Sequence, residues 1–191
     1  MDLGAHIGTF SLYAAALGHE VVAVDASGRN MALLRASIDI NGFDRMHPIQ
    51  AAVSDARGFL EVTEFGAYGV VAIPRLDWPT VRVPSITLDG LLADLGWRDA
   101  DFIKMDVEGS EIAALRGMQR LTSTSDVPIV FESNGHTLHL YDQDPAALLQ
   151  HLHRGGYRSW EIQERRLVPV QPDGPQLACV VDYVALKRPD E

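Results

Sequence analysis

The chain has 191 residues, the length of one ordinary α/β domain, and 47% of them are hydrophobic, which is enough to bury a full core. The formal net charge of −10, with 16 scattered lysine and arginine residues, disfavours nucleic acid as a partner, because phosphate contacts require basic clusters. No apolar stretch reaches the roughly 20 residues that cross a bilayer and we see no signal segment, so we expect a single domain over residues 1–191 without a membrane partner.

The one cysteine, Cys179, lies in the apolar run LACVVDYVAL, where it has no partner for an internal disulfide. We expect it to be a core or sheet residue. A chain without disulfides fits a reducing compartment, so we expect the protein to be cytoplasmic.

Strand-like and helix-like segments alternate in the first part of the chain. After Met1-Asp2-Leu3, the apolar patterns predict a helix over residues 8–17, a buried strand from Glu20 to Asp25, a helix over residues 28–40 and a strand from Met46 to Val53. Gly18 ends the first helix and Asn41-Gly42 ends the second, because glycine readily adopts the left-handed conformation of a helix C-terminus. This alternation is typical of a parallel sheet wrapped by helices.

The sequence pattern changes between Gly58 and Val83. The segments GFLEVTEF and YGVVAI alternate like the strands of a hairpin around Gly66, and prolines interrupt the chain that follows (Pro74, Pro79 and Pro84). We predict a β-rich excursion beside the functional site.

Regular alternation resumes after this excursion. The patterns predict, in order, a short helix over residues 87–95, a strand from Asp101 to Met105, a helix over residues 110–121, a strand from Val127 to Phe131, a loop, and a helix over residues 145–154 begun by Asp144-Pro145. The tail segments YRSWEIQ, RRLVPV and CVVDYVAL have no helix between them, so the sheet should finish antiparallel. The predicted fold class is α/β, a mostly parallel sheet with an antiparallel C-terminal strand and helices on both faces.

A glycine-rich loop, Asp2-Leu3-Gly4-Ala5-His6-Ile7-Gly8, stands where a strand turns into a helix, and its glycines let the backbone pass close to a ligand. Its spacing is G-x-x-x-G rather than the G-x-G-x-x-G that places a pyrophosphate on a helix N-terminus, which favours a nucleoside cofactor without a pyrophosphate. Asp25 closes the next strand, where its two oxygens can accept hydrogen bonds from both ribose hydroxyls. The segment from Ala51 to Asp55 ends the third strand, where it could meet an adenine.

Each of these signals also has a purely structural interpretation. A glycine at a strand end often only forms a turn, Asp25-Ala26-Ser27 can cap the following helix, and the segment from Ala51 to Asp55 can be an ordinary exit from a strand. Their order along the chain, each at the expected element, favours a cofactor site.

Four segments of the sequence resemble the FkbM family of small-molecule O-methyltransferases. They are DLGAHIGTFSLYAA, ASIDINGF, PSITLDGLL and ADFIKMDVEGSEIAALRGM, and together they span most of residues 2–135. The resemblance implies a Rossmann-like fold that uses S-adenosylmethionine to methylate a hydroxyl of a small molecule. It also implies that the cofactor is bound by Asp2, Gly4, Ala5, Gly8, Asp25, Ala26, Ala52 and Asp106.

The most specific segment, KMDVEGSE, carries the candidate catalytic groups. Alternation along the strand sends Lys104 and Asp106 to one side, at the carboxyl end where open α/β sheets bind ligands. Methyl transfer from a sulfonium requires alignment of the acceptor oxygen and removal of the hydroxyl proton. We expect Asp106 or Glu108 to be the base and Lys104 to tune it, with Glu132 and His136 facing the acceptor.

Other interpretations of these residues stay open. The cluster can be a structural salt bridge, with Glu108 and Glu111 capping the following helix. A magnesium site would consist of Asp106, Glu108, Glu132 and His136. The dense acidic spacing of a dedicated metal loop is missing from the sequence, so we predict no metal. The chain could also be an inactive cofactor-binding scaffold or, despite its glycine spacing, an NAD-dependent oxidoreductase.

Two features depart from the FkbM pattern. Position 6 is His where the family usually carries Asn, near the amino-acid end of the cofactor. Asp2 directly follows Met1, so we expect either a start further upstream or a sheet that lacks half of its middle strand. Unpaired backbone groups there would make the chain marginally stable and weak in cofactor binding. The acceptor, whether a sugar, a polyketide or a lipid-linked glycan, has no motif in the sequence.

Overall fold

The structure is a computed structural model that describes residues 1–63, 70–72, 77–173 and 180–187. The strands in these ranges are β1 (Asp2–Leu3), β2 (Val21–Asp25), β3 (Met46–Gln50), β4 (Ala52–Val53), β5 (Gly58–Thr63), β6 (Thr80–Ile86), β7 (Ile103–Met105), β8 (Ile129–Asn134), β9 (Arg158–Gln163), β10 (Arg166–Val170) and β11 (Val180–Leu186). The helices are α1 (Thr9–Ala16), α2 (Gly28–Asn41), α3 (Leu88–Asp94), α4 (Glu111–Arg116), α5 (Gln119–Thr124), α6 (Gly135–Leu140) and α7 (Pro145–Arg154). The predicted α/β class is confirmed.

The main sheet has the strand order β10-β9-β11-β8-β7-β1-β2-β3. β1 lies in the middle, where Leu3 pairs in parallel with Val24 of β2 on one side and with Met105 of β7 on the other. β8 is parallel to β7, whereas β11, β9 and β10 continue the sheet in antiparallel pairs. The predicted parallel sheet with an antiparallel end is therefore confirmed.

Both faces of this sheet are covered. Val22 and Val24 of β2 belong to the main apolar cluster, together with residues of α3, α4 and α7, whereas Val21 and Ala23 pack with α1 and α2 in a second cluster. The residues of β2 belong alternately to the two clusters because successive side chains of a strand point to opposite faces of the sheet. Burial of one such side chain contributes about 1.5–3 kcal/mol, so the paired clusters stabilise a sheet that has helices on both faces.

Local side-chain bonds set the ends of several helices. The Ser27 hydroxyl accepts the Asn30 N–H at 3.3 Å where α2 begins, and α2 ends at Gly42, which is left-handed with φ of 66°. The Asp144 carboxylate accepts the Ala146 N–H at 2.7 Å where α7 begins. Such caps contribute about 1 kcal/mol each, which explains why both helices lie where the sequence predicts them.

A smaller sheet with the order β4-β6-β5 stands apart from the main sheet. β5 is antiparallel to β6, and Val62 of β5 also forms an antiparallel bridge to Val71. The turn predicted around Gly66 lies outside the described residues, but the Thr63 N–H donates to the Val70 carbonyl at 2.8 Å, as the arms of a hairpin do. The predicted β-rich excursion is confirmed.

Two predicted elements are each divided in the structure. The helix predicted over residues 110–121 breaks into α4 and α5 at Gly117, where a Cβ would lie 2.1 Å from the Ser54 carbonyl oxygen. The strand predicted from Met46 to Val53 leaves the main sheet after Gln50 and joins the small sheet as β4, parallel to β6. In both places a contact with a distant part of the chain overrides the local pattern.

The prediction of a loop after Phe131 was wrong, because β8 continues to Asn134 and α6 follows it. The Asn134 side-chain oxygen accepts the N–H groups of His136 at 3.1 Å and Thr137 at 3.4 Å, and so caps α6. A helix of six residues is too short to show a clear 3.6-residue period.

No helix within the described ranges is long and apolar enough to cross a membrane. Cys179, which we expected to be a core or sheet residue, lies outside the described residues. Its environment therefore stays a prediction.

Candidate active site

A cavity opens at the carboxyl ends of β1, β2 and β7, which is where open α/β sheets bind ligands. Its walls are the loop after β1, the end of β2, the turn after β7 and part of the small sheet. The residues that line it are Gly4, His6, Val24, Asp25, Ala26, Ala51, Ala52, Val53, Val62, Val71, Asp106, Val107, Glu108 and Ser110. The small sheet therefore lies beside the site, as the sequence predicts.

The backbone of the loop after β1 lies directly against the backbone of the turn after β7. Gly4 has φ of +77°, and a Cβ on it would lie 1.7 Å from the carbonyl oxygen of Asp106. The N–H groups of Gly4 and Ala5 both donate to the Val24 carbonyl at 2.9 Å, which ties the loop to β2. The loop thus presents bare backbone to the cavity, as a close-fitting nucleoside requires.

Asp25 organises the loop as well as the end of β2. Its Oδ2 accepts the His6 N–H at 2.7 Å, and its Oδ1 accepts the Ser27 N–H at 2.8 Å and the Asn30 side-chain amide at 3.3 Å. A carboxylate has about four acceptor positions, so within the described residues these three bonds leave room for a further donor. The hydrogen bonds from both ribose hydroxyls to Asp25 stay a prediction.

Lys104 joins three parts of the site. Its Nζ donates to Asp106 Oδ2 at 3.1 Å and to the Gly4 carbonyl at 3.2 Å, and it lies 3.6 Å from Oδ1 of Asp2. The ammonium therefore holds the glycine loop against the turn after β7. The predicted placement of Lys104 and Asp106 on one side of the strand agrees with these distances.

Asp2 lies beneath the cavity rather than in its wall. Its side chain is fully buried, and the Ser11 hydroxyl donates to its Oδ2 at 2.6 Å. Burial raises the pKa of Asp2, while the nearby Lys104 ammonium and the Ser11 hydrogen bond oppose that rise. In this position Asp2 supports Lys104 directly and does not line the cavity.

Three carboxylates meet at the cavity edge. One oxygen from each of Asp106, Glu108 and Glu132 lies within 4.8 Å of the others. Burial raises the pKa of Glu108, Asp106 raises it further, and Lys104 lowers it. Burial together with Asp106, Glu108 and Asp182 raises the pKa of Glu132 to about 7. A carboxylate with such a pKa can accept a proton near neutral pH, as a general base must.

The predicted site residues divide into two groups. Gly4, Asp25, Ala26, Ala52, Asp106 and Glu108 line the cavity. A second group lies behind or beside that wall and consists of Asp2, Ala5, Gly8, Lys104 and Glu132. Gly8 packs against α2, since a Cβ at position 8 would lie 2.3 Å from Leu34 Cδ1. Their roles toward a ligand stay predictions.

The carboxylate cluster could also hold a cation. Its three oxygens are close enough for shared coordination, but Lys104 Nζ already lies 3.1 Å from Asp106 and supplies a positive charge. His136, which we included in the alternative magnesium site, is exposed on α6 and does not belong to this group. The absence of a metal therefore stays a prediction.

Tyr141 and Val71 form a contact at the site that the sequence analysis missed. The Tyr141 hydroxyl donates to the Val71 carbonyl at 2.7 Å and so connects the end of α6 to the cavity wall. Burial raises the pKa of Tyr141, and the nearby Glu111 raises it further, so the phenol stays a donor. The two residues lie 70 positions apart, and no local pattern marks either of them.

Comparisons with known proteins agree with this architecture. The family model of the methyltransferase FkbM domain matches residues 2–159. No curated protein sequence matches the chain significantly.

Several solved structures share the fold. Methyltransferase FkbM from Methylobacillus flagellatus KT superposes with a TM-score of 0.59 at 18% identity, over 96% of this chain and 42% of that one. Precorrin-6y C5,15-methyltransferase from Geobacter metallireducens GS-15 superposes with a TM-score of 0.55 at 14% identity, over 98% of this chain and 78% of that one. An O-methyltransferase from Bacillus cereus in complex with SAH superposes with a TM-score of 0.51 at 16% identity, over 98% of this chain and 72% of that one. The chain thus spans less than half of the FkbM structure that it resembles.

Proposed function

The chain belongs to the FkbM methyltransferase family, and from that premise we propose that it transfers the methyl group of S-adenosylmethionine to a hydroxyl oxygen of a small molecule. The observation that carries the proposal is the position of three carboxylates and one ammonium at the edge of a cavity that the glycine-rich loop also lines. Such a site can bind a nucleoside and deprotonate a hydroxyl.

The residues at the cavity fit the proposed cofactor. Gly4 lets the loop after β1 lie against the Asp106 backbone at the cavity, and Asp25, which lines the same cavity, can accept a hydrogen bond from a ribose hydroxyl. Ala52 and Val53 line the cavity with apolar surface that suits an adenine ring. When bound, the cofactor supplies a sulfonium methyl, and the chain itself has to align the acceptor and take its proton.

Glu132 and Glu108 are the proposed bases. With S-adenosylmethionine bound as the methyl donor, one of these carboxylates would accept the hydroxyl proton of the acceptor, whose oxygen would then be the nucleophile toward the sulfonium methyl. Glu132, with a pKa of about 7, is ionised in part at neutral pH and is the stronger of the two candidates. Lys104 limits the rise in the pKa of both glutamates.

The charges around the acceptor side favour a neutral or polyhydroxylated acceptor. Among the described residues, the carboxylates of Asp106, Glu108, Glu132 and Asp182 outnumber the nearby Lys104 ammonium, which disfavours a phosphate or carboxylate group on the substrate. We propose that the acceptor is a sugar, a polyketide or another natural product rather than nucleic acid, and that methylation takes place in the cytoplasm. The net charge of −10 and the single cysteine support these choices.

Calorimetry with S-adenosylmethionine, its demethylated product and NAD tests the cofactor, and a panel of hydroxylated acceptors scored by mass gain of one methyl group tests the reaction. We expect the first two ligands to bind and NAD not to bind. NAD binding alone would support an oxidoreductase and overturn the proposal. Cofactor binding without transfer to any acceptor in the panel would support an inactive scaffold.

A further inference from the structure

The turn that carries Asp106 and Glu108 has an unusual backbone. Glu108 has φ of 52° and Gly109 has φ of 95°, so two consecutive residues are left-handed. This conformation is unfavourable for a residue with a Cβ and persists only where its surroundings hold it. Some group must therefore fix the turn that aims the Glu108 carboxylate into the cavity.

Glu111 is placed to do this. Its side chain is 2% exposed, and its Oε1 accepts the Gly109 N–H at 3.1 Å. The Gly109 N–H directly follows Glu108, so Glu111 holds the backbone next to that residue. This donor precedes α4, whereas a residue that served only that helix would bind the N–H groups of its first turn.

The burial of Glu111 is costly, which argues against a purely stabilising role. Burial raises its pKa to about 7 although the hydrogen bond from the Gly109 N–H opposes that rise, and its Oε2 has no hydrogen-bond partner among the described residues. A carboxylate with one unpaired buried oxygen is a poor choice for stability alone.

Tyr141 also packs against the turn. A Cβ on Gly109 would lie 2.5 Å from Cε2 of Tyr141, so the ring leaves room only for glycine. The hydrogen bond from Gly109 to Glu111 and the contact with the Tyr141 ring together hold the turn in place.

We propose that Glu111 is a positioning residue for methyl transfer, which fixes the left-handed turn at Glu108 and Gly109 through its hydrogen bond to the Gly109 N–H. This inference rests on the proposed function. Glu111 acts through Glu108 and Asp106, since it does not line the cavity.

Two conservative variants of Glu111 distinguish the effect of side-chain length from the effect of charge. Glu111→Gln keeps the length of the side chain and an oxygen acceptor but loses the charge, whereas Glu111→Asp keeps the charge and is too short to reach Gly109. We expect Glu111→Gln to retain most of kcat and Glu111→Asp to lose about 10²-fold, because small misplacements of a reacting group cost that much. Affinity for S-adenosylmethionine should be unchanged in both, since Gly4 and Asp25 lie on other elements.

Hydrogen exchange of the Gly109 amide gives a readout that does not depend on turnover. Exchange should be slow in the wild type and in Glu111→Gln and faster in Glu111→Asp. Asp89→Asn is the matched control: Asp89 is another first-turn carboxylate, it accepts the N–H groups of Arg120 and Leu121, and it does not line the cavity. This control should lower the melting temperature and leave kcat and Gly109 exchange unchanged.

Retention of kcat by Glu111→Asp, equal losses in both variants, or Gly109 exchange that is the same in all of them would each overturn the positioning role. Failure of the proposed function gives a different result. The wild-type chain would then methylate no acceptor, while Gly109 exchange would still show whether Glu111 holds the turn.

Discussion

The main-chain N–H of His6 donates a 2.7 Å hydrogen bond to Oδ2 of Asp25. One carboxylate thereby ties the glycine-rich loop after β1 to the end of β2, and the same residue lines the cavity. The backbone at His6 has φ of 53°, a left-handed conformation that Asn and His adopt more readily than most residues, so His is a tolerable replacement for the usual Asn of the family.

Replacement of Asp25 should weaken cofactor binding at least tenfold, because charge-assisted hydrogen bonds contribute about 1.5–3 kcal/mol each. Asp25→Asn should be nearly as harmful as Asp25→Ala, since an amide nitrogen would face either the His6 or the Ser27 N–H. Calorimetry with S-adenosylmethionine measures the effect. Asp39→Asn, an exposed carboxylate on α2, is the control and should bind normally. Wild-type affinity in folded Asp25→Asn would remove Asp25 from the site.

Replacement of the candidate bases should affect turnover more than binding. Glu108→Gln and Glu132→Gln keep the shape of each side chain but prevent proton acceptance, so kcat of the responsible variant should fall by about 10²–10⁴-fold. Steady-state kinetics on the acceptor found by mass gain is the measurement. Glu164→Gln is a suitable control, because Glu164 is exposed and also left-handed. Near-normal turnover in both site variants would mean that alignment alone explains the rate.

The pH dependence of turnover should follow the carboxylate cluster. The base must be ionised, and because burial raises the pKa of Glu132 to about 7, kcat should rise as pH increases through about 7 and then level off. Lys104 lowers the pKa of both Glu108 and Glu132, so Lys104→Met should move this rise to higher pH. Lys104→Arg keeps the charge and should leave the profile close to that of the wild type. A profile that Lys104→Met does not move would contradict the tuning role of the ammonium.

The contact between Gly4 and Asp106 can be tested through stability. Gly4→Ala places a Cβ 1.7 Å from the Asp106 carbonyl, which the backbone can relieve only by moving the loop. Gly18→Ala is the matched control, since Gly18 is also left-handed but has no atom within 4 Å of the added Cβ. Gly18→Ala should cost about 1–2 kcal/mol from backbone conformation alone, and Gly4→Ala should cost more and abolish the shift in melting temperature that S-adenosylmethionine causes. Equal losses of unfolding free energy in the two variants would show that the loop tolerates a side chain at position 4.

Much of this architecture is determined by the sequence over short distances. Ser27 and Asn41-Gly42 mark the ends of α2, Asp144 marks the start of α7, and the apolar alternation orders the strands of the main sheet. These signals work because capping bonds and side-chain periodicity involve residues only a few positions apart. For the same reason, the two-residue alternation of β7 was enough to predict that Lys104 and Asp106 lie together.

Contacts between distant residues decided the rest. One predicted helix divides at Gly117, beside the Ser54 carbonyl, and Tyr141 reaches Val71 in the cavity wall. Burial and three carboxylates on other elements raise the pKa of Glu132. The sequence predicts Asp2 at the cofactor, and the fold buries its side chain with Oδ1 at 3.6 Å from Nζ of Lys104, so its role toward a ligand stays a prediction. Burial, electrostatic coupling and close backbone approach depend on which elements the fold brings together, and neither composition nor periodicity along one segment contains that information.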